Sequence, residues 1–262
     1  MKPRKRFGQH FLTDPGVLDE MSRSIALSPD DTVLEIGPGQ GALTDVLYPQ
    51  LVETGRYVAV EIDRDLVPWL QARHGGIKII NADFNRLDLV ETLSGITGWR
   101  VVGNLPYNVS SAIIMNLSEY LSLEEGPSPI QDMHFMVQKE MGLRLAASAG
   151  SKAWGRLSVM AQLVWRVEYL FEVGPESFSP PPKVFSSVIR LMPILDRVSA
   201  RQYKEIDRVV RVAFAQRRKR LSNALKSLQV DWSEVSVDPQ KRADDVDVGE
   251  FMELADAITI EQ

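Results

Sequence analysis

The stretch TVLEIGPGQGALT, residues 32–44, decides the fold class of this chain. Its first six residues are mostly apolar or β-branched and predict a buried strand. Gly37, Gly39 and Gly41 follow the strand and lead into a run with helical spacing. Such a turn lets the backbone approach a ligand where any Cβ would collide. The G-x-G-x-G spacing by itself leaves NAD, FAD, S-adenosylmethionine and plain tight packing open.

On both sides of this stretch, short β-branched runs alternate with helical ones. The predicted strands are TVLEIG, YVAVEI, IKIIN, RVVGN and MHFMVQ, and the helical runs between them are ALTDVLYPQL, DLVPWLQAR and SAIIMNLSEYL. Strands that alternate with helices predict βαβ units and a parallel sheet covered on both faces. YLFEVG and FSSVIRLMPI predict two further, antiparallel strands at the sheet edge. The fold class is therefore α/β and Rossmann-like.

The pattern becomes purely helical after Ser199. The helical runs there are YKEIDRVVRVAFAQ, RLSNALKSL and VGEFMELADAI. We therefore predict a boundary near residues 193–198. It divides the chain into a ligand-binding domain, residues 1–195, and a small C-terminal helical domain, residues 196–262.

The composition excludes several classes of protein. The chain has 262 residues, of which 44% are hydrophobic, and no cysteine, which excludes disulfides and thiolate metal sites. His10, His74 and His134 show no metal-ligand spacing, so we expect no metal. No apolar run is long enough to span a membrane, and the basic N-terminus has no apolar signal core behind it. We expect a cytoplasmic monomer without a membrane partner.

Positive charge is concentrated in two runs although the formal net charge is −5. Residues 231–262 hold ten acids and only two bases, so the rest of the chain is net basic. The runs are Lys2, Arg4, Lys5 and Arg6, and Arg217, Arg218, Lys219 and Arg220. Either run alone is equally consistent with solvated charges. Together they predict contacts with nucleic-acid phosphates.

Acidic side chains end two successive predicted strands. Glu61 ends VAVEID, where a carboxylate can accept hydrogen bonds from two ribose hydroxyls in an NAD or an S-adenosylmethionine site. Asp83, in NADF, can accept from the exocyclic amine of a cofactor adenine, and Phe84 can pack near its ring. The alternative for Asp83 is a helix N-cap. Because ligands bind at the carboxyl ends of parallel strands, the two acids beside the glycine loop favour a ligand.

The stretch VVGNLPYNVSS, residues 101–111, ends the fourth strand at the same edge. An aromatic amine such as adenine N6 is a poor nucleophile, because its lone pair is delocalised into the ring. The side-chain oxygen of Asn104 and the carbonyl of Leu105, in a turn fixed by Pro106, can accept from the amine and aim its lone pair at a methyl sulfonium. Tyr107 can stack on the base. Phe178, at the start of FSPPPKV, is a second candidate for stacking, or else a core residue in a stiff connector.

Eight stretches form a joint pattern over almost the whole chain up to AFAQRRKRLSNAL: RKRFGQHFL, VLEIGPGQGALT, VEIDRDL, NADF, VGNLPYNVSS, FMVQKEM, WGRLSVMAQ and FSPPPKVFSSVIRL. This pattern resembles the KsgA family of small-subunit ribosomal RNA adenine N6-dimethyltransferases. The resemblance implies that S-adenosylmethionine is used to methylate two adjacent adenosines, twice each, near the 3′ end of 16S rRNA in the assembling 30S subunit. It places His10, Leu12, Gly37, Gly39, Glu61, Asp83, Phe84 and Asn104 around the cofactor. It places Asn104, Leu105, Pro106, Tyr107 and Phe178 around the target base, in a catalytic domain followed by a helical rRNA-binding domain.

The chain departs from the family pattern at one residue, and rival functions stay open. His10 stands where many members carry Asn, and an imidazole can still hydrogen-bond the cofactor. The acidic stretch after Asp231 has no assigned counterpart. The alternatives are a large-subunit (23S) rRNA methyltransferase of the macrolide-resistance type, and a non-enzymatic ribosome-assembly factor on the same fold.

Overall fold

The computed structural model of the protein describes residues 10–52 and 56–258. The strands, β1 to β9 in chain order, are Phe11–Leu12, Thr32–Ile36, Tyr57–Glu61, Lys78–Asn81, Trp99–Asn104, Ile130–Gln138, Trp165–Val173, Phe178–Ser179 and Ser186–Pro193. The helices, α1 to α10, are Pro15–Ile25, Ala42–Leu47, Val67–Arg73, Leu89–Leu93, Ser110–Leu123, Lys139–Leu145, Arg156–Gln162, Ala200–Ala215, Leu221–Ala224 and Val248–Asp256. Within these described ranges, none of the helices has the length and apolar character needed to cross a membrane.

Seven strands form one mixed sheet in the order β4-β3-β2-β5-β6-β9-β7. The neighbours from β4 to β6 run parallel, and β9 and β7 are antiparallel. This confirms the predicted fold class and the two antiparallel edge strands. The strand order reverses between β2 and β5, and ligands of such sheets bind outside the carboxyl ends at the reversal.

Several elements carried no clear signal in the sequence. Strand β1 pairs with β8 as a separate two-stranded sheet, with Leu12 opposite Phe178. Helices α1, α4, α6 and α7 were not predicted. Strand β7 begins at Trp165, before the predicted YLFEVG. The predicted helix RLSNALKSL is wrong in length: α9 has 4 residues, and a 3-10 turn follows it.

The C-terminal helices share one hydrophobic core with the sheet. Helix α8 contacts α5, α7 and α10, and Phe135, Val210 and Phe251 belong to the same buried cluster. The acidic residues after Asp231 are part of this unit, because Leu254 is fully buried. Removing that stretch would therefore open the core as well as remove charge. The division at residues 195 and 196 stays a prediction.

A buried ionic cluster lies near the amino ends of β5 and β6, opposite the glycine loop. Arg100 donates to Asp132 at 2.6 Å and 3.1 Å and to Asp31 at 2.6 Å. Arg190 also donates to Asp132 at 3.0 Å, on the Oδ2 atom that accepts the longer of the two Arg100 bonds. His134 is fully buried, with its Nδ1 3.7 Å from Asp132. Burial lowers the pKa of His134 to about 4.

His134 is expected to make stability depend on pH between about 6.5 and 4. Its folded pKa lies below the ordinary value of 6.5, so the unfolded state binds the proton first and stability falls as pH falls through this window. In His134→Leu this contribution is absent. The difference in unfolding free energy between wild type and variant should change by about 1.4 kcal/mol per pH unit there. Urea titrations at several pH values measure it, and a constant difference contradicts the neutral, buried imidazole.

Candidate functional site

The glycine loop between β2 and α2 forms the floor of the site. Gly37, Gly39 and Gly41 have φ of +69°, +58° and +80°, a region that L side chains rarely adopt. A Cβ on Gly39 would lie 3.0 Å from the Phe11 ring, and one on Gly41 would lie 3.1 Å from Leu70. A Cβ on Gly37 would meet no atom within 4 Å. Gly39 and Gly41 therefore permit close packing, whereas Gly37 faces open space.

Glu61 ties the end of β3 to this loop. Its carboxylate accepts from the Gly39 amide at 3.0 Å and from the Asp63 amide at 2.8 Å. The side chain is 2% exposed, and burial raises its pKa. Each oxygen keeps a further lone pair for a ligand hydroxyl. The structure thus brings Glu61 to the loop, and the ribose contact stays a prediction.

Glu35 is a residue of the site that sequence reasoning missed. It lies within β2, is 1% exposed, and accepts from Thr44 Oγ1 at 2.5 Å and from the Tyr57 hydroxyl at 2.7 Å. Burial raises its pKa to about 7, although both hydroxyls oppose the shift. Its contact with Thr44 fixes the first turn of α2 behind the loop. The available signal was an acid inside the otherwise apolar run TVLEIG.

Two pockets open at the carboxyl ends of the parallel strands. The first is lined by His10, Phe11, Leu12, Met21, Glu35, Gly37, Pro38, Gly39, Gln40, Ala42, Leu43, Glu61, Ile62, Asn104, Leu105, Pro106 and Tyr107. The second is lined by Ile36, Gly37, Val60, Ile62, Ala82, Asp83, Phe84, Asn85, Pro106, Asn108, Val109 and Ile113. They share Gly37, Ile62 and Pro106, so they form one cleft along the reversal point of the sheet.

Asp83 and Phe84 lie in the second pocket. Asp83 Oδ1 accepts from the Asn85 amide at 3.1 Å, so this oxygen acts as the N-cap that the alternative interpretation predicts. The residue is only half-buried and also lines the pocket. Phe84 is 5% exposed and belongs to the core as well as to the pocket wall. Capping therefore occupies Oδ1. Oδ2 lies 3.7 Å from Arg86 Nε in an ion pair, which is beyond hydrogen-bond distance, so Oδ2 can still accept from a ligand amine.

Asn104 and Leu105 lie where β5 ends above the loop. Asn104 Nδ2 donates to the His10 carbonyl at 3.0 Å, which leaves the amide oxygen as the free end of the side chain. The Leu105 amide donates to the Met136 carbonyl at 3.0 Å and fixes the turn to the neighbouring strand. The structure thus holds an acceptor oxygen in a set orientation at the mouth of the first pocket.

Tyr107 is held from two sides. Its hydroxyl bonds Ser186 Oγ at 2.6 Å, and burial raises its pKa, so the phenol stays neutral. The His10 ring stacks on Tyr107, with centroids 5.6 Å apart and planes at 24°. His10 Nδ1 lies 2.8 Å from the Pro180 carbonyl. His10 therefore covers one face of the Tyr107 ring, a contact that the sequence did not predict.

Phe178 is not brought to Tyr107. Its side chain is 3% exposed and packs in a core cluster with Leu12, Met21 and Val188. Within the described residues, Phe178 lines neither pocket. The core alternative describes its position, because the pairing of β1 with β8 turns the ring inward. The buried position does not favour a contact between Phe178 and the target base, and that contact stays a prediction.

In the basic run after α8, two side chains bond other parts of the protein and two form no ion pair with the described residues. Arg217 pairs with Asp244 at 2.5 Å and also donates to the Lys152 and Trp154 carbonyls, and Arg220 bonds Gln240. All four side chains are exposed. Arg218 and Lys219 form no ion pair with the part of the chain that the structure describes. Lys2, Arg4, Lys5 and Arg6 lie outside the described residues.

In residues 10–52 and 56–258, there is no group of three or more His, Asp or Glu residues positioned to hold a metal ion.

The chain is similar to known RNA methyltransferases over almost its whole length. The model of the family described as ribosomal RNA adenine dimethylase matches residues 1–259. "Ribosomal RNA small subunit methyltransferase A" of Pseudomonas fluorescens (strain Pf-5) is 45% identical over 98% of this chain and 94% of its own. A dimethyladenosine transferase from Plasmodium falciparum has a TM-score of 0.75 at 23% identity, covering 94% of this chain and 96% of its own. The 23S rRNA methyltransferase ErmE has a TM-score of 0.69 at 23% identity, covering 95% and 99%.

These matches correct one expectation from the sequence. The acidic stretch after Asp231 was left without a counterpart, but the family match continues to residue 259. The stretch is therefore part of the shared chain, which agrees with its burial against α8.

Proposed function

The chain belongs to the ribosomal RNA adenine dimethylase family, and from that premise we propose that it transfers methyl groups from S-adenosylmethionine to N6 of adenosines in small-subunit rRNA. The targets are two adjacent adenosines near the 3′ end of 16S rRNA, each methylated twice during ribosome biogenesis. The observation that carries this is the 45% identity to a small-subunit methyltransferase over 98% of the chain. ErmE, at 23% identity, shares the fold, and that likeness carries no argument for 23S rRNA.

The cleft fits S-adenosylmethionine in shape and in chemistry. Gly37 faces open space where the two pockets join. The Glu61 carboxylate can accept from the ribose, and Asp83 Oδ2 can accept from the adenine amine. When bound, S-adenosylmethionine supplies an electrophilic methyl group on a sulfonium. We assign the first pocket to the methionine and ribose portions and the second to the adenine.

The residues after β5 can position the target amine. The Asn104 oxygen and the Leu105 carbonyl accept the two N6 hydrogens and draw the nitrogen toward tetrahedral geometry, which aims its lone pair at the methyl group. Tyr107 supplies a stacking face that is fixed by Ser186. Catalysis is then mostly positioning and electrostatic preorganisation, so no strong general base is needed before transfer.

The function is tested by incubating the protein with labelled S-adenosylmethionine and undermethylated small subunits, then mapping the modified nucleotides. Label on two adjacent adenosines near the 3′ end of 16S rRNA supports the proposal. Label on 23S rRNA in a parallel reaction with large subunits favours the macrolide-resistance type. Tight subunit binding without label favours the assembly factor.

We further propose that the protein acts as a cytoplasmic monomer, with residues 196–262 as its rRNA-binding domain.

Glu61→Ala is expected to weaken S-adenosylmethionine binding by about 5- to 150-fold, because the loss of a buried acceptor leaves polar groups unpaired. The carboxylate also holds the Gly39 and Asp63 amides. Glu61→Gln is therefore the matched variant, because it keeps an acceptor oxygen and should retain more affinity. Calorimetric titration measures both variants. Unchanged affinity in Glu61→Ala contradicts the ribose contact.

The basic run is expected to bind rRNA phosphates through its free members. Arg218→Ala with Lys219→Ala should weaken binding to small subunits and reduce the slope of log affinity against log salt by about 0.7–0.9 per charge removed. Arg217 is left intact, because its bond to Asp244 supports the fold.

The matched control is Arg23→Ala with Lys78→Ala, which removes the same charge from exposed positions on α1 and β4. Filter binding at several salt concentrations measures both slopes. Equal slopes in the two double variants would show that Arg218 and Lys219 are solvated charges and no more. Cofactor affinity should stay unchanged in both.

A further inference from the structure

The exposed aromatic ring of Phe185, the residue before Ser186, has no role in the mechanism above. Phe185 is 52% exposed, and its neighbour Val184 is 45% exposed. Leu143, on α6, is also 45% exposed and lies one turn after Lys139 on the same face of the helix. Scattered exposed apolar residues are common, but a group at the rim of a site indicates a binding surface.

The ring is held in place from below. Lys139 Nζ lies 5.7 Å from the centroid of the Phe185 ring, within the range of a cation–π contact. The same ammonium pairs with Glu172 at 2.8 Å. The Phe185 carbonyl accepts from the Lys139 amide at 3.0 Å. The aromatic face is therefore ordered before any ligand arrives, which reduces the entropic cost of binding.

The segment that carries the ring continues into the base-binding residues. Because successive side chains of an extended segment point to opposite faces, the Phe185 ring and the Ser186 hydroxyl lie on opposite sides of the chain. Ser186 follows Phe185 in the chain, and its hydroxyl bonds the Tyr107 hydroxyl at 2.6 Å. Lys183, two residues before Phe185, is exposed and forms no ion pair with any residue that the structure describes. A flat apolar face beside a free cation fits a nucleobase and its phosphate.

We propose that Phe185 is the stacking platform for the nucleotide next to the adenosine held at Tyr107. This inference rests on the proposed function and adds a residue that positions the substrate. Flipping one nucleotide out of a stack leaves its neighbour without a stacking partner on that side. Phe185 replaces that partner, which favours the extruded state and aligns the strand for the second of two adjacent targets.

Phe185→Ala is expected to weaken binding to undermethylated small subunits by about 5- to 150-fold, the range for losing one base–aromatic stack. Phe185→Trp should restore affinity, and Phe185→Leu should not, because Leu keeps apolar area but has no aromatic face. Val90→Ala is the control: Val90, on α4, is also 52% exposed but is not part of this group, so the variant should bind like wild type. Because Phe185 is exposed, these changes leave the core intact.

A double-mutant cycle identifies the occupant. Small subunits are reconstituted with an abasic nucleotide on either side of the target, and binding is measured for wild type and Phe185→Ala. One abasic position should weaken wild-type binding and have little further effect on the variant. Equal losses in both proteins overturn the inference, as does a Phe185→Ala defect that no abasic position reproduces, which would indicate a protein contact. Wild-type methylation of intact subunits is scored in parallel, so failure of the proposed function is seen separately from failure of the platform.

Discussion

Asn104→Ala is expected to lose methyl transfer by about 10²- to 10³-fold while keeping most of its affinity for S-adenosylmethionine. Removing one preorganised polar group from a site that acts by charge stabilisation costs rates of this order. The amide nitrogen of Asn104 is already used by the His10 carbonyl at 3.0 Å. That bond fixes the amide, whose oxygen is the only acceptor that the side chain offers to the substrate amine, so the loss should appear in the chemical step.

Single-turnover methylation of small subunits, with cofactor affinity measured by calorimetry, separates the two effects. Asn104→Asp is the companion variant: it keeps an acceptor oxygen and should retain more activity than Asn104→Ala. Near-wild-type turnover in Asn104→Ala would exclude the acceptor role. A large loss of cofactor affinity would instead show that the bond to His10 supports the cofactor pocket.

Asp132→Ala is expected to lower the free energy of unfolding by about 3–5 kcal/mol, because it leaves a buried guanidinium without its main partner. Arg100 is 4% exposed and makes two of its bonds to Asp132. Arg190 also loses a partner. The cost comes from the uncompensated charge more than from the bonds themselves.

Denaturant unfolding followed by circular dichroism measures this cost. Glu205→Ala is the control, because it breaks an exposed pair with Arg201 on α8 and should cost less than about 0.5 kcal/mol. Arg100→Met with Asp132→Leu should recover much of the loss, since it removes the buried charge and its partner together. A loss below about 1 kcal/mol in Asp132→Ala would mean that water or other groups compensate Arg100.

The sequence predicts what depends on local pattern. The strands TVLEIG and YVAVEI follow from β-branched runs, and the positions of Glu61 and Asn104 follow from being last in parallel strands. Contacts between segments that are distant in the chain leave no local pattern in the sequence. Arg100 and Asp132 are 32 residues apart, and nothing in either segment indicates their pairing.

The aromatic residues show the same limit. Phe178 and Phe185 flank one proline-rich loop, and composition alone favours neither for the site. The pairing of β8 with β1 buries the first. The second stays outside, above Lys139. Tertiary pairing, which has no local signal in the sequence, therefore decides which of the two rings is buried and which is exposed.

The continuous core beneath α8 has a consequence for how a target is chosen. Helix α8 packs on α5, the helix that begins just after Tyr107, so the basic run and the turn from Asn104 to Tyr107 are attached to one packed body. The distance between them is therefore fixed by the fold. Under the proposed function, an RNA anchored at Arg218 presents to Asn104 only those nucleotides whose path matches that span. Substrate selection then depends on the three-dimensional structure of the RNA. A short oligonucleotide with the target sequence but without that structure would be a poor substrate.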